Sequence, residues 1–223
     1  MNYHGVIFDF NGTLFFDTQY HKQVWKQIAE TQWSLHLSDE EIQQHFLGKN
    51  NETIIDAFAD RPLTREENKQ LSEKKEAMYR ELCRQHPETS NLAPGAEKLF
   101  DFLKVNHIPM TIASASIKAN IDFYVEYFRL DQWMDPQTIT FDDGTYEDKR
   151  GMFTQAAKNI GCDISECLIF EDSISGIRFA HDVKAKAVIA INSEHDNDRY
   201  QAFPFLLGIY HDFNDFDFHG IFS

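Results

Sequence analysis

The sequence contains little cysteine, and this excludes a fold held together by disulfides. Only three cysteines, Cys83, Cys162 and Cys167, occur among 223 residues. Their spacing matches no metal-ligand pattern. Such a sparse and odd-numbered set is typical of buried thiols in a reducing compartment.

Basic residues are also in short supply. Lysine and arginine number 21 against 36 aspartates and glutamates, so the formal net charge is −15. A charge of this size repels nucleic acids and anionic lipid surfaces at long range. We therefore expect no nucleic-acid partner.

Long apolar runs are missing as well. No stretch approaches the roughly 18–20 apolar residues of a membrane helix, and residues 1–4 lack the basic start of a signal peptide. We therefore expect a cytoplasmic protein without a membrane partner, and a monomer or weak dimer. The 20 phenylalanines, several of them between Phe203 and Phe222, are expected to pack mainly in the core.

The remaining composition is that of an ordinary folded protein. Hydrophobic residues make up 42% and charged residues 26%, with 10 glycines and 6 prolines, which excludes disordered, collagen-like and low-complexity chains. The length allows one large domain or a core with a smaller insertion.

Hydrophobic periodicity divides the chain into two regions. Val6-Ile7-Phe8 is predicted to be a buried strand that ends in a polar turn containing Gly12. From residue 17 to about 90 the pattern is helical throughout. The predicted helices of this region cover about Asp17–Trp33, Ser38–Leu47, Glu52–Ala59 and Thr64–Arg84.

Strands and helices alternate after the turn at Asn91–Gly95. The predicted elements are helices at about Ala96–Asn106, Ile117–Phe128, Arg150–Ile160 and Ile174–His181, and strands at Pro109–Ala113, Thr138–Phe141, Cys167–Phe170 and Ala187–Ile191. Such alternation predicts an α/β fold with a Rossmann-like parallel sheet covered by helices on both faces. Residues 1–16 and 91–223 would form this core, and residues 17–90 an inserted helical cap domain.

Polar residues follow four of the predicted strands or precede the next helix. They are Asp9 and Asn11, Ser114, Lys149, and Glu171 with Asp172. Ligands bind at the carboxyl ends of strands in open parallel sheets, so we expect these residues to share one rim. Two converging carboxylates, Asp9 and Asp172, require a cation such as Mg²⁺, which favours oxygen ligands. Lys149 and Ser114 beside that cation would form a phosphate cradle.

These segments, in this order, resemble the four motifs of the haloacid dehalogenase superfamily of phosphotransferases. The matching residues are Asp9-Phe10-Asn11-Gly12-Thr13-Leu14, Ser114, Lys149 and Glu171-Asp172. The helical insertion, Ser114-Ala115-Ser116 and Glu171-Asp172-Ser173 are most similar to the β-phosphoglucomutase and phosphatase-like branch.

The resemblance implies roles for individual residues. Asp9 would be the nucleophile that forms an aspartyl-phosphate. Mg²⁺ would be held by Asp9, the backbone carbonyl of Asn11 and Asp172, with Glu171 in direct contact or just behind. Ser114, Ala115 and Lys149 would hold the phosphoryl oxygens. The cap would close over a small phosphorylated metabolite, with hinges near residues 15–18 and 88–94.

The chain departs from this family pattern at Asn11, where the family has an aspartate that acts as general acid and base. An amide donates a hydrogen bond but does not pass a proton, and general acid–base catalysis contributes about 10²–10⁴-fold. We predict a phosphatase for substrates with good leaving groups. The alternatives are proton transfer by His21 or Asp17, a phosphometabolite-binding protein without turnover, and deamidation of Asn11 to aspartate.

The cap region departs from the pattern too. In β-phosphoglucomutases an arginine that grips the second phosphate follows a loop matching Phe46-Leu47-Gly48, and here Asn51 stands at its place. Lys49 and Lys75 are candidate substitutes, and His21 is a further candidate substrate residue, although lysine lacks the bidentate fork of arginine. These changes disfavour a β-phosphoglucomutase-like phosphosugar mutase more than a phosphatase. Dehalogenation is disfavoured because Asp172 would be a metal ligand, and metal-free dehalogenases have no use for one.

Overall fold

The chain divides into two compact units. A computed structural model describes residues 3–46 and 50–222, except for the side chain of Gln43. One unit comprises Met1–Phe16 with Asn91–Ser223, and the other comprises Asp17–Ser90. In the described part of the chain, no helix is both long enough and apolar enough to span a membrane.

The first unit is built on a six-stranded sheet. Its strands are β1 (Gly5–Phe8), β2 (Met110–Ile117), β3 (Thr140–Asp142), β4 (Cys167–Glu171), β5 (Ala187–Ile191) and β6 (Gly208–Tyr210). Their spatial order is β3-β2-β1-β4-β5-β6, and every neighbouring pair is parallel. The direction of winding reverses between β1 and β4, which is where such sheets bind ligands.

Helices alternate with these strands, as the periodicity predicts. They are α5 (Ala96–Val105), α6 (Lys118–Tyr127), α7 (Lys149–Asn159), α8 (Ile174–Asp182) and α9 (Phe218–Phe222). Val6, Ile7 and Phe8 of β1 are fully buried, as expected for a central strand covered on both faces. The predicted α/β class with a Rossmann-like parallel sheet is confirmed.

The sequence analysis missed β6 and α9. β6 has only three residues, Gly-Ile-Tyr, and forms the edge of the sheet, where Ile189 of β5 lies opposite Gly208. A segment this short has no periodicity to detect. The phenylalanines around it pack into the core as expected, because Phe213, Phe216 and Phe222 are all buried.

The described residues of the second unit, 17–46 and 50–90, form four helices, α1 (Thr18–Trp33), α2 (Asp39–His45), α3 (Asn51–Phe58) and α4 (Arg65–Gln85). The predicted capping boxes are confirmed: Ser38 and Glu41 start α2, and Thr64 and Glu67 start α4. Asp17 precedes α1 as expected, yet its side chain makes no capping hydrogen bond. Its carboxylate instead accepts a hydrogen bond from Tyr79 at 2.5 Å, inside the unit.

A buried ion pair joins neighbouring residues of α4. Lys75 Nζ lies 2.8 Å from Glu76 Oε1, and the two side chains are only 3% and 9% exposed. Burial by itself raises the pKa of Glu76, but the charges of Lys75 and His21 and hydrogen bonds from Lys75 and Asn51 outweigh it and lower the pKa to about 2. The folded helical unit therefore favours ionised Glu76.

We expect this pair to make stability depend on pH. The pKa of Glu76 is depressed from 4.5 to about 2. Its contribution, about 3 kcal/mol, is therefore complete above pH 4.5 and lost as the pH falls towards 2. The Glu76→Gln variant should be less stable than wild type by about this amount near pH 7, and the difference should shrink on acidification. Urea unfolding followed by circular dichroism at several pH values measures it.

Glu73→Gln is the matched control, because Glu73 is an exposed residue of the same helix whose pair with Lys69 is 3.9 Å long. Exposed pairs of this kind contribute about 0–1 kcal/mol. An offset between wild type and Glu76→Gln that stays constant from pH 7 to pH 3 would contradict the prediction.

Candidate active site

Asp9 lies at the carboxyl end of the central strand. β1 ends at Phe8, and the next backbone N–H, that of Asp9, donates to the carbonyl of Phe170 in β4 at 2.9 Å. This bond extends the β1–β4 pairing by one residue and fixes the Asp9 side chain at the rim. The side chain is almost fully buried, with 6% exposed.

Lys149 connects Asp9 to a second carboxylate. It is the first residue of α7, and its Nζ donates to Asp9 Oδ1 at 2.6 Å and also to Glu171 Oε1. The other oxygen of Glu171 accepts the backbone N–H of Ser173 at 2.6 Å. Glu171 is completely buried and has both oxygens occupied, so its carboxylate is held in one orientation.

Asp172 completes a group of three carboxylates. One oxygen from each of Asp9, Glu171 and Asp172 lies within 4.8 Å of the others. Thr13 Oγ1 donates to Asp172 Oδ1 at 3.3 Å. Gly12 has a left-handed φ of +79°, and a Cβ there would collide with the carboxylate of Asp172. The turn after β1 thus needs glycine for both its conformation and its closeness to Asp172.

The site carries more negative charge than its one lysine balances. Burial raises the pKa of Asp9 to about 6, with Glu171 adding to the effect and Lys149 opposing it. Burial, then the charges of Glu171 and Asp9, likewise raise the pKa of Asp172. Although burial favours neutral Lys149, its two carboxylate partners raise the pKa of its ammonium above the ordinary value. Lys149 therefore stays charged. Its charge and the weaker effect of Arg199 lower the pKa of Asp172 less than burial and the neighbouring carboxylates raise it.

This donor set fits a divalent cation with a preference for oxygen. Two buried carboxylates and a third that is partly buried, against the ammonium of Lys149, leave a local excess of negative charge. Mg²⁺ is held in proteins by one or two carboxylates with water and phosphate oxygens. Asp9 and Asp172 suit direct ligation best, because both oxygens of Glu171 already accept hydrogen bonds. The backbone carbonyl of Asn11 remains a predicted ligand.

Asn11 is held by two hydroxyl groups that the sequence analysis did not connect with it. Its Nδ2 donates to the hydroxyl of Tyr124 in α6 at 2.8 Å, and its Oδ1 accepts from Ser116 Oγ at 2.7 Å. Tyr124 is buried, and its ring stacks on that of Phe10 with centroids 4.0 Å apart. The Asn11 amide is thereby fixed, with its NH₂ towards Tyr124 and its oxygen towards Ser116.

The segment predicted to bind phosphate, Ser114 with Ala115, lies in the carboxyl-terminal half of β2, which runs to Ile117. Ser114 is buried, and its Oγ accepts the backbone N–H of Ser116 at 3.2 Å. That N–H is therefore engaged within the last residues of β2, where the register with β3 is irregular, whereas the O–H of Ser114 remains a donor. Ala115 is exposed between the two serines. The structure thus brings Ser116 to Asn11, a contact that sequence spacing across 105 positions does not reveal.

The residues predicted to contact substrate from the cap lie in the helical unit. Lys75 Nζ is 2.9 Å from His21 Nδ1, His21 Nε2 is 3.1 Å from Asp17 Oδ2, and Asn51 donates to Glu76 at 2.8 Å. His21, Asn51 and Lys75 therefore pair with other residues of their own unit, and their substrate role stays a prediction. Lys49 lies outside the described residues.

Comparison with known proteins identifies the family. A family model of haloacid dehalogenase-like hydrolases matches residues 3–184. The crystal structure of a HAD hydrolase of family IA, variant 3, from Entamoeba histolytica is 33% identical, with a TM-score of 0.89, and the match covers 97% of this chain and 96% of that chain.

Two further matches are more limited. The bifunctional riboflavin kinase/FMN phosphatase of Arabidopsis thaliana is 32% identical over 105 residues, which is 45% of this chain. The matched part spans only about a quarter, 26%, of the plant protein. A β-phosphoglucomutase from Clostridium difficile is 19% identical over 98% of this chain and 95% of that chain, with a TM-score of 0.79, and this likeness shows the fold alone.

The family model covers most of the chain, and the Entamoeba structure matches both units over nearly their whole length. The parallel sheet and the carboxylates at its rim agree with that match. The chain belongs to the haloacid dehalogenase-like hydrolase family.

Proposed function

We propose that the protein is a magnesium-dependent phosphatase of small phosphorylated metabolites that transfers the phosphoryl group to Asp9. The observation that carries this proposal is the group formed by Asp9, Lys149, Glu171 and Asp172 between β1 and β4. The similarity to a plant protein named as an FMN phosphatase supports phosphoric monoesters as the substrate class.

Asp9 is the nucleophile in this proposal. A carboxylate oxygen attacks phosphorus, the bond from phosphorus to the ester oxygen breaks, and the ester oxygen leaves with the bonding electrons as an anion that takes a proton from water. Water then attacks the aspartyl-phosphate, which releases phosphate and restores the Asp9 carboxylate. The hydrogen bond from the backbone N–H of Asp9 to the carbonyl of Phe170 in β4 holds the nucleophile in place during both steps.

Lys149 and Ser114 bind the phosphoryl oxygens. The Lys149 ammonium already lies 2.6 Å from Asp9, so a phosphoryl group at this carboxylate meets a fixed positive charge. Ser114 offers its O–H from the end of β2. A bound Mg²⁺ would supply further charge neutralisation and lower the repulsion between nucleophile and phosphate. Asp9 and Asp172 would hold that ion.

Asn11 limits which substrates the enzyme turns over rapidly. Its amide donates a hydrogen bond but transfers no proton, so the departing oxygen receives no proton from this position. Aryl and acyl phosphates release an aryloxide or a carboxylate, which are stable anions and need little protonation. Alkyl phosphates, including most sugar phosphates, would be slower for this reason.

A second candidate function is phosphometabolite binding without turnover. The observation in its favour is that both ends of the Asn11 amide are tied to Tyr124 and Ser116, which suits a fixed structural role. The mutase alternative gains no comparable support, since the likeness to β-phosphoglucomutase shows the fold alone.

We expect phosphate release to require both Asp9 and Mg²⁺. Replacing the nucleophile in Asp9→Asn should lower kcat by at least about 10³-fold, because no covalent intermediate forms. Chelation with EDTA should abolish turnover, and added Mg²⁺ should restore it. The measurement is phosphate release from acyl, aryl and sugar phosphates and from nucleotides.

Asp122→Asn is the control, because it removes one carboxylate that is exposed and paired with Lys118 at 2.6 Å on α6. It should leave turnover unchanged. Turnover of Asp9→Asn within tenfold of wild type would refute Asp9 as nucleophile. Binding of inorganic phosphate by wild type with no release from any substrate would favour the binding protein.

A second prediction concerns the acid that Asn11 replaces. Asn11→Asp should raise kcat on alkyl phosphates by about 10²–10⁴-fold and change aryl phosphates by less than about tenfold. A carboxylate oxygen fits there in one respect, since Ser116 Oγ already donates a hydrogen bond to the side-chain oxygen of this residue. Kinetics on a series of esters of increasing leaving-group pKa measures the difference.

Asn11→Asp both alters the hydrogen bonds of this side chain and adds an acid. Asn11→Ala separates these two effects, because it removes the hydrogen bonds without adding an acid. It should show no gain on alkyl phosphates. If wild type shows no dependence on leaving-group pKa and Asn11→Asp shows no gain, another group supplies the proton and this account of Asn11 is wrong.

A further inference from the structure

Two histidines meet at the carboxyl ends of the last two strands. His195 follows β5, and His211 directly follows β6. His195 Nδ1 lies 3.3 Å from His211 Nε2, and the ring centroids are 3.9 Å apart. The two residues are 16 positions apart in the chain, so only the β5–β6 pairing brings them together.

One carbonyl group anchors both histidines. The backbone oxygen of Asn192 accepts the backbone N–H of His195 at 3.1 Å and faces His211 Nδ1 at 3.1 Å. Because a carbonyl only accepts, Nδ1 of His211 carries the proton, and the neutral ring has its lone pair on Nε2. That lone pair faces His195.

The side chain of Asn192 also orders the loop that follows β5 and carries His195. Asn192 is buried, its Nδ2 donates to Asn197 at 2.7 Å, and its Oδ1 accepts the N–H of Asp196 at 3.1 Å. His195 has a left-handed φ of +59°, which is uncommon for a residue with a side chain. The loop therefore holds His195 beside His211 despite a backbone conformation of higher energy.

We propose that His195 and His211 bind a transition-metal ion of the zinc class. Two imidazole ligands on a tetrahedral ion, with bonds of about 2.0–2.1 Å, have their nitrogens about 3.4 Å apart. The observed separation is 3.3 Å. Water molecules would complete the coordination. Mg²⁺ is excluded from this pair, because it takes oxygen ligands.

Few movements are needed to form the site. The Asn192 carbonyl already fixes the ring of His211, as the partners behind metal-binding histidines do. His195 is exposed, so its ring turns about the side-chain torsions until its lone pair also faces the ion. Its proton moves from Nδ1 to Nε2 in this step, and no proton is lost from the pair.

The pair differs from the active site in its ligands and its strands. The active site uses carboxylates after β1 and β4, whereas this pair uses imidazoles after β5 and β6. The two are linked through Tyr200, whose hydroxyl donates to the backbone oxygen of Asp172 at 2.7 Å. An ion on His195 would hold the loop that also carries Tyr200.

The test is a titration of the full-length protein with Zn²⁺ by isothermal calorimetry at neutral pH. Saturating Mg²⁺ competes for the carboxylates, and a Cys162→Ser background removes the one thiol that is not buried. We expect one Zn²⁺ site that His195→Ala and His211→Ala each weaken by at least about 10–100-fold. His36→Ala, which removes another exposed histidine, should not change it.

Imidazole NMR signals provide a second measurement. Zn²⁺ should shift the ring resonances of His195 and His211 together, at one equivalent, and leave those of His36 in place. His195→Ala removes only an exposed side chain, so this variant tests the site even if His211→Ala fails to fold. Zn²⁺ curves for His195→Ala that superimpose on those of its parent, or ring signals that do not move, would overturn the proposal.

Discussion

The ammonium of Lys149 is the contact on which the active site depends. It lies between Asp9 and Glu171, and without it the buried carboxylates of Asp9 and Glu171 would face each other, and the partly buried Asp172, without this positive charge. Removing one partner of such a buried group is far more damaging than losing an exposed ion pair. The Lys149 ammonium therefore connects the first turn of α7 with the ends of β1 and β4. That single charge is smaller than the combined charge of the three carboxylates, and this difference is the basis of the proposed cation site.

Backbone geometry decides how closely these charges approach. Gly12 and Gly176 stand where a Cβ would collide with the carboxylates of Asp172 and Glu171, respectively. The turn after β1 and the start of α8 are thus shaped to let acidic groups come near the main chain. Burial then raises the pKa of Asp9 and of Asp172, so ionising these carboxylates in the folded protein has an electrostatic cost that the proposed cation would reduce.

Asn11 has become part of a hydrogen-bond network. In the family pattern this position supplies a proton, whereas here the amide joins the turn after β1 to α6 through Tyr124 and to the end of β2 through Ser116. The stack of Phe10 on Tyr124 supports the same contact with apolar surface. An amide satisfies both neighbours at once with one donor and one acceptor. This network explains how the chain accommodates the exchange without leaving a buried polar group unpaired.

Local sequence pattern was sufficient to predict most of the helices and strands and the main motifs. The alternation of apolar strands and helices predicted the parallel sheet, and Asp9, Lys149 and Asp172 could be picked out because each is a polar residue beside a buried element. Both capping boxes of the helical unit were also readable, since a cap is a contact over three residues. β6 could not be predicted, because three residues are too few to show a hydrophobic periodicity. This edge strand forms through its pairing with β5.

Contacts between distant residues required the folded chain. Asn11 bonds to Tyr124 and Ser116, and His195 contacts His211. The separation of these residues in the sequence does not predict that they are neighbours in the fold. Lys75 shows the same limit: a lysine on a polar helix looked available for substrate, yet folding buries it against Glu76. Residue type and spacing thus determined which chemistry this chain carries and on which strands. The partners of each side chain, and hence its charge state and orientation, depended on packing across the sheet and within the helical unit, which sequence periodicity does not encode.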